Sequence, residues 1–397
     1  MSAIGQPQEP TRIVLLDILR GLGVMMILVS NIQEFSMPRS GYFFPNVYGD
    51  FTGFNRIVWH LDNLLFKGKS LMLFSLIFGA GLILQKAPRT LHYRRMAILM
   101  TLGLAHAVLL WDGDILVTLA LGGMAVFPLK RLSSRGLIWA GTIVIVVGPA
   151  LVLGANSFLQ IWDLPHFASF GSVLIRETGD LERIIACLRG SWISQEAHRL
   201  QACREMYGFA LPVYLFWFVA SAMLLGMGIL KAEFANRPDR VRHPALAVTA
   251  FMSLGLAGTY FNFHHGILAE AGPSLSFYVS TQYDFWLALS VTLGISVLVT
   301  AGLNGYPNNR LFSPVAALGK TALSNYFVQS LICTTLFYGH GFGLYGQCSR
   351  TVQFVLVVFI WVLQMAGSVF WLQRFRHGPL EWAWRCAYLG RRIPMSR

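Results

Sequence analysis

Charge is scarce in this chain. Of 397 residues only 12% are Asp, Glu, Lys or Arg, about half of the ~25% found in a soluble domain. No stretch is polar enough to make a soluble domain of its own. Cysteines number five (Cys187, Cys203, Cys333, Cys348 and Cys386) and no CxxC occurs, so no zinc or redox motif is supported. There is no DNA- or RNA-binding motif. The opening MSAIGQPQEPTR lacks the charged n-region and small-residue cleavage site of a signal peptide. The apolar run behind it is too long for one and is expected to stay as an uncleaved span. No internal repeat or low-complexity segment stands out.

What is abundant is apolar surface. Hydrophobic residues make up 55% of the chain and the mean hydropathy is +0.56. These values predict an all-α, polytopic integral membrane bundle in which residues 1–397 form a single transmembrane domain. A spanning helix needs about 20 mostly apolar residues. About ten runs qualify on that criterion: 13–33, 69–85, 93–111, 114–130, 136–159, 209–231, 244–264, 284–303, 314–338 and 351–372. Residues 54–66 (FNRIVWHLDNLLF) are shorter and interrupted, which suits an interfacial or re-entrant helix.

The charge that exists is lopsided, with 31 Lys+Arg against 18 Asp+Glu and a net +13. The excess sits in short loops. Lys86, Arg89, Arg94 and Arg95 follow the second run, and Lys130, Arg131 and Arg135 the fourth. Lys231, Arg237, Arg240 and Arg242 follow the sixth, and Arg310 the eighth. The tail adds Arg374, Arg376, Arg385, Arg391 and Arg392. The alternate connections are WDGD and residues 264–283, which contain no Lys or Arg. The positive-inside rule then explains the basic balance without any nucleic acid and predicts that both termini are cytoplasmic. Two long loops face outward, 34–53 and 160–208. The second, with SVLIRETGDLERIIACLRG, is expected to hold short amphipathic helices. Cys187 and Cys203 lie in it, as a disulfide or as two free thiols.

Charged side chains inside a bilayer cost roughly 2.5–3.5 kcal/mol each on insertion scales, so they pair or face a wet cavity. In the first run Asp17 and Arg20 are one helical turn apart and can offset each other. Arg20 and Asn31 share that face, roughly 16 Å apart along the axis. The plainer reading puts Asp17 and Arg20 at headgroup level, with Arg20 snorkelling. The third run reads LHYRRMAILMTLGLAHAVLLWDGDIL. His106 lies among apolar residues on the face of Arg95, about a turn before Asp112 and Asp114. Histidine is suited to moving protons near neutral pH, and a carboxylate can orient it. In the ninth run Thr321, Asn325 and Gln329 form a polar stripe, flanked by Lys320 and Ser324, that either binds helices together or lines a cavity. His340 follows in a Gly-rich turn. Lys67 and Lys69 oppose the charge rule, and contact with an anionic group or with headgroups accounts for them. His60, Asp62 and His92 suit an interface. His264 and His265 lack spaced carboxylates, so no metal site is assigned.

Several segments resemble the YeiB-like bacterial membrane proteins, which carry a domain of unknown function numbered 418. They are LDILRGLGVMMILVSNIQ, GKSLMLFSLIFGAGL, LHYRRMAILMTLGLAHAVLLWDGDIL, ALGKTALSNYFVQSLICTTLFYGHGFGLYG and RFRHGPLEWAWR. The last two define a C-terminal signature region, 314–392. The first run is also similar to that of transmembrane acyltransferases, of the acyltransferase-three and heparan glucosaminide acetyltransferase types. Both begin it with Asp-x-x-Arg-Gly, here Asp17, Arg20 and Gly21. Eleven residues after the Arg the first type has His; this chain has Asn31, like the second type. The second type has its working His in the following loop, and residues 34–53 hold none.

The resemblance implies a multi-pass protein of the bacterial inner membrane that moves an acyl (acetyl) group from cytoplasmic acyl-CoA, its co-substrate, to an acceptor. That acceptor is a small molecule, glycan or lipid reached from the periplasm or the membrane. Asp17, Arg20, Arg95 and Lys320 would hold the donor. His106, oriented by Asp112 or Asp114, would be the base, with Asn31 as oxyanion donor. Lys69, Asn325, Gln329 and His340 would contact the acceptor. A homo-oligomer is compatible with the sequence. Two other classes use the same residues: a transporter or flippase of a polar or lipid-linked solute, and a non-catalytic scaffold or sensor in which these groups are structural pairs.

Overall fold

The computed structural model describes residues 14–85, 87–161, 180–232, 243–264, 275–305 and 312–397. Lys86, Arg237, Arg240, Arg242, Arg310, His265 and the first part of the 160–208 loop lie outside them. Each apolar run is helical. In chain order the helices are α1 (Val14–Ser36), α2 (Arg39–Phe43), α3 (Gly53–Leu61), α4 (Lys69–Leu84), α5 (Arg89–Leu109), α6 (Leu116–Val126) and α7 (Ser134–Ile161). Then come α8 (Leu181–Leu188), α9 (Glu196–Glu205), α10 (Phe216–Lys231), α11 (Pro244–Asn262), α12 (Leu275–Gly305), α13 (Phe312–Lys320), α14 (Ala322–Phe337), α15 (Arg350–Arg374) and α16 (Pro379–Leu389). Two π-helical segments, Asp62–Phe66 and Met206–Leu215, lead into α4 and α10. Among the described residues the strand content is one isolated bridge, Phe375 to Ser396.

Seven helical stretches among the described residues are long and apolar enough to cross a membrane: Val14–Ser36, Gly53–Leu84, Ser134–Val152, Glu196–Lys231, Pro244–Asn262, Tyr283–Gly305 and Arg350–Arg374. The other three expected spans fall short for separate reasons. Helix α5 begins with the polar turn RTLHYRR. Helix α6 has 11 residues before the chain tightens into the 3-10 turn Phe127–Arg131. The ninth run breaks at Thr321 into α13 and α14. The interrupted segment 54–66 runs through α3 and the first π-turn into α4, so it belongs to a spanning stretch. In the long loop, α8 buries Leu188 and exposes Glu182 and Arg183. Cys187 and Cys203 are free thiols.

Two helix crossings set the bundle. At the first, Gly21 of α1 rests on the carbonyl of Val315, and Gly319 of α13 on that of Asp17; a Cβ at either would collide with backbone. At the second, Gly79 of α4 meets the carbonyl of Met223 and Gly226 of α10 that of Leu76. Lipid tails are as apolar as leucine, so close backbone approach through small residues is what holds such helices together. Around the second crossing lies an apolar core with Met72, Leu137, Phe218 and Met223 fully buried. Trp139, Leu151, Val355 and Phe359 stand exposed on the outside, as lipid-facing residues do. Buried Arg350 ties α15 to the 34–53 loop by donating to the carbonyls of Gly41 at 2.8 Å and Asp50 at 3.0 Å. Glu381 of α16 caps α14, accepting from the amides of Leu323 at 2.7 Å and Ser324 at 3.1 Å.

The crossing predicts the effect of filling it. Gly226→Val should destabilise the detergent-solubilised protein, read as a fall in its thermal midpoint, by more than the ~1–3 kcal/mol of ordinary overpacking, because the clash is with backbone. Gly367→Val, where a Cβ meets nothing within 4 Å, should leave the midpoint unchanged.

Candidate functional site

Helix α5 ends at Leu109, and its last turn carries His106. The chain then turns through WDGD into α6, and Asp114 starts that helix by accepting the Val117 amide at 2.9 Å. Gly103 leaves the room beside α5 that the Asp114 carboxylate occupies. As a result Asp114 Oδ1 stands 3.2 Å from His106 Nδ1, in ion-pair range though poorly aligned for a hydrogen bond. The other ring nitrogen, Nε2, is 2.8 Å from the Ser330 hydroxyl of α14. Tyr326 and Phe327 flank the imidazole at 5.0 and 4.9 Å between ring centres. His106, Asp114 and Ser330 are all fully buried. A ring proton on Nδ1 would face the carboxylate and leave Nε2 to accept from Ser330, whose hydroxyl also lies 3.3 Å from the Tyr326 carbonyl. This carboxylate–imidazole–hydroxyl line has the connectivity by which a base is oriented and a hydroxyl activated.

Close by is a chamber of about 290 Å³, walled by α1, the start of α4, the 111–115 turn and the second π-helical segment. Its walls are mostly apolar, with Ile27, Leu71, Phe209 and Phe218 among them, and Asn31, Glu34, Arg39 and Lys67 add polar groups. π-Helical segments cost hydrogen-bond quality and occur mostly at functional sites; here Lys67 follows one, and the other forms a wall. Arg39 pairs with Asp112 and lies 3.7 Å from Glu34. Trp111 stacks on Phe35 at 4.0 Å. Gly113 and Ile115 line the chamber, while Asp114 between them turns to His106. The Tyr326 hydroxyl closes this wall from behind, 3.4 Å from the Ile115 amide and 3.5 Å from the Gly113 carbonyl. A second, more polar cavity of about 480 Å³, with Asp180, Arg183, Ser194 and His198, shares Arg39 and Glu205 with the chamber.

The expected site residues thus separate into groups. Asn31 lines the chamber. Asp112 belongs to Arg39, so Asp114 alone serves His106. Asp17 and Arg20 pair at 3.3 Å at the other end of α1. Arg95 donates to Gln85 Oε1 at 2.9 Å and lies 4.8 Å over the Trp384 ring, and Lys320 ends α13. The polar stripe of the ninth run bonds helices together: Asn325 donates to Ser368 at 3.0 Å, and Gln329 to Gln364 at 2.9 Å and the Val24 carbonyl at 3.0 Å. Lys69 is buried and donates to the Asn63 carbonyl at 2.6 Å. His340 lies in the turn after α14, where burial holds its pKa below the usual imidazole value. Arg20, Asn31, His106 and Asp114 do not meet in one chamber: Asn31 alone of them lines it, and α1 puts Arg20 toward its other end.

Three functional candidates were missed. Ser330 sits one residue off the Thr321–Asn325–Gln329 stripe, hence about 100° around the helix. Arg39 lies in the 34–53 loop with no motif to mark it. Asp62, expected at an interface, is fully buried and accepts from Ser30 at 2.6 Å and Gln33 at 2.7 Å.

Comparison with known proteins decides the family. Residues 229–391 match the model described as "Protein of unknown function (DUF418)". The uncharacterized protein YeiB of Escherichia coli (strain K12) is 31% identical over 395 residues, covering 94% of this chain and 95% of YeiB. This chain belongs to the YeiB family. The uncharacterized protein YxaH of Bacillus subtilis (strain 168) is similar at 27% identity, covering 98% and 96% of the two chains. The DUF418 match takes in Ser330 and Glu381 of this YeiB-family protein, whereas His106 and Asp114 lie ahead of it.

The Arg39–Asp112 pair gives a direct test of the chamber rim. Removing one partner of a buried pair costs about 3–5 kcal/mol. Arg39 is 29% exposed, so Arg39→Ala should cost less, about 2 kcal/mol. Combining it with Asp112→Ala should recover part of that loss in a double-mutant cycle read by thermal unfolding.

Proposed function

We propose that this YeiB-family membrane protein is an acyltransferase that uses cytoplasmic acyl-CoA and acylates a periplasmic or membrane-borne acceptor, with His106 as general base. The observation that carries the proposal is the buried line from Asp114 through His106 to Ser330. Asp114 keeps the proton on Nδ1, and Ser330 holds Nε2 until the acceptor replaces it. The acceptor occupies the chamber and reaches Nε2 in place of Ser330, with Asp114 staying against Nδ1. Its O–H or N–H proton passes to Nε2 as the heteroatom attacks the thioester carbonyl. Asn31 donates to the developing oxyanion. The C–S bond then breaks, and the departing thiolate takes the proton from His106. Arg20, Arg95 and Lys320, at the opposite end of the bundle, receive the anionic part of the donor. In this reading the basic loops mark that end as the cytoplasmic one.

One observation favours a second reading. The chamber carries charged groups that His106 does not join, as in a path for a transported solute. Transfer of label from acyl-CoA in proteoliposomes separates the two. The proposal expects labelled product with wild type, and a loss of 10²–10⁴-fold per folded molecule in His106→Ala, whose midpoint should fall because buried Asp114 loses its partner. Solute flux with no labelled product, or full transfer by His106→Ala, contradicts it.

A further inference from the structure

One cation in the chamber wall has no use in the reaction above. Lys67 follows the first π-turn, and its ammonium lies 3.8 Å over the Tyr42 ring and 4.3 Å over Phe43. Among the described residues it makes no hydrogen bond and no ion pair. The carboxylates whose fields it feels are engaged elsewhere. Asp62 is held by Ser30 and Gln33, Glu34 lies against Arg39, and Asp284 accepts from Asn262 at 3.0 Å. Glu205, also in the wall, is on the rim shared with the second cavity and accepts from Gln201 at 3.1 Å. An ammonium among aromatic rings in a bundle read as membrane-spanning keeps its donors open only at a cost, which a ligand anion would remove.

The backbone beside Lys67 is built for the same purpose. Gly68 has φ +75°, a conformation that side-chain-bearing residues avoid, and it turns the chain sharply into α4. Helix α4 has 16 residues and no side chain capping its start. Its first-turn amides lack a carbonyl four residues back, and they carry the positive end of the helix dipole. Gly68, Ser70 and Leu71 from this turn line the chamber. Ser70 is only 3% exposed, yet its hydroxyl has no partner among the described residues. An ammonium, a helix start and an unpaired hydroxyl therefore converge on one end of a mostly apolar cavity.

We infer that the chamber binds an amphiphile with an oxyanion head, a phosphate or carboxylate, seated against Lys67, Ser70 and the start of α4, with its hydrocarbon body along Ile27, Phe209 and Phe218. Helix starts are ready-made oxyanion sites. The chamber's apolar walls and its volume, near the lower end of the roughly 300–1,000 Å³ of small-molecule sites, demand the apolar body. The assignment does not depend on acyl transfer, since none of these groups touches His106.

Isothermal titration calorimetry on the full chain in phosphatidylcholine nanodiscs, corrected for empty discs, tests it with octyl phosphate, octyl glucoside and inorganic phosphate. Octyl phosphate should bind saturably and at least about tenfold tighter than either of the others. Lys67→Gln should weaken octyl phosphate about tenfold, Lys67→Arg much less, and Ala210→Trp, which fills the chamber, should abolish binding. His106→Ala should bind like wild type, so loss of acyl transfer and loss of this site are separate results. Equal binding of octyl glucoside, or unchanged affinity in Lys67→Gln, would overturn the oxyanion head. Inorganic phosphate binding as tightly as octyl phosphate would overturn the amphiphile in favour of a soluble anion.

Discussion

A buried carboxylate surrounded by apolar helices must be answered by a partner, and the facing of Asp114 and His106 is the constraint on which the candidate site depends. Asp114 does two things at once: it accepts the Val117 amide at the start of α6 and faces the imidazole on α5. The ring in turn reaches Ser330 on α14. Three helices are thereby brought together through buried polar atoms, with the Ser330 hydroxyl also 3.3 Å from the Tyr326 carbonyl of its own helix. The same arithmetic governs Asp112 with Arg39, and Asp62 with Ser30 and Gln33.

Packing supplies the frame for these pairs. Glycines at the α1–α13 and α4–α10 crossings bring backbones into contact, and interhelical bonds from Asn325, Gln329 and Gln364 lock α14 to α1 and α15. The chamber is the place where this close packing is relaxed. The second π-helical segment walls it, the residues that follow the first border it, and the chain changes direction there at Gly68 and at the 111–115 turn. A rigid polar line behind a roomier, partly charged cavity gives a division of labour between a base held ready and a space for ligand.

Much of the architecture was legible from apolar run length alone, because an all-apolar helix leaves little else for 20 residues to do. The break at Thr321 was not, since no proline marks it and Lys320 beside it reads equally as one charge in a continuous span; just before it Gly319 packs on the Asp17 carbonyl, a tertiary contact. The nearness of His106 and Asp114 was legible because few residues separate them. Ser330 was hidden, for a serine in an apolar helix commonly bonds its own backbone. Asp62 was misjudged because the π-turn changes which way side chains point. Lys67 announced itself by opposing the charge rule, and the structure shows the cavity behind that signal. What Arg20, Arg95 and Lys320 have in common is the end of the bundle they occupy, which spacing along one helix could indicate for Arg20 and Asn31 only as a shared face.

The central claim is that Asp114 holds His106 as a neutral base with its proton on Nδ1 and Nε2 facing Ser330. Nitrogen-15 chemical shifts of the labelled protein, with His106 assigned by difference against His106→Gln among the ten histidines, measure that directly. The account predicts a protonated Nδ1 and a bare, hydrogen-bond-accepting Nε2 in wild type, with this preference lost in Asp114→Asn. A proton on Nε2 in wild type, or shifts unchanged by Asp114→Asn, would contradict it.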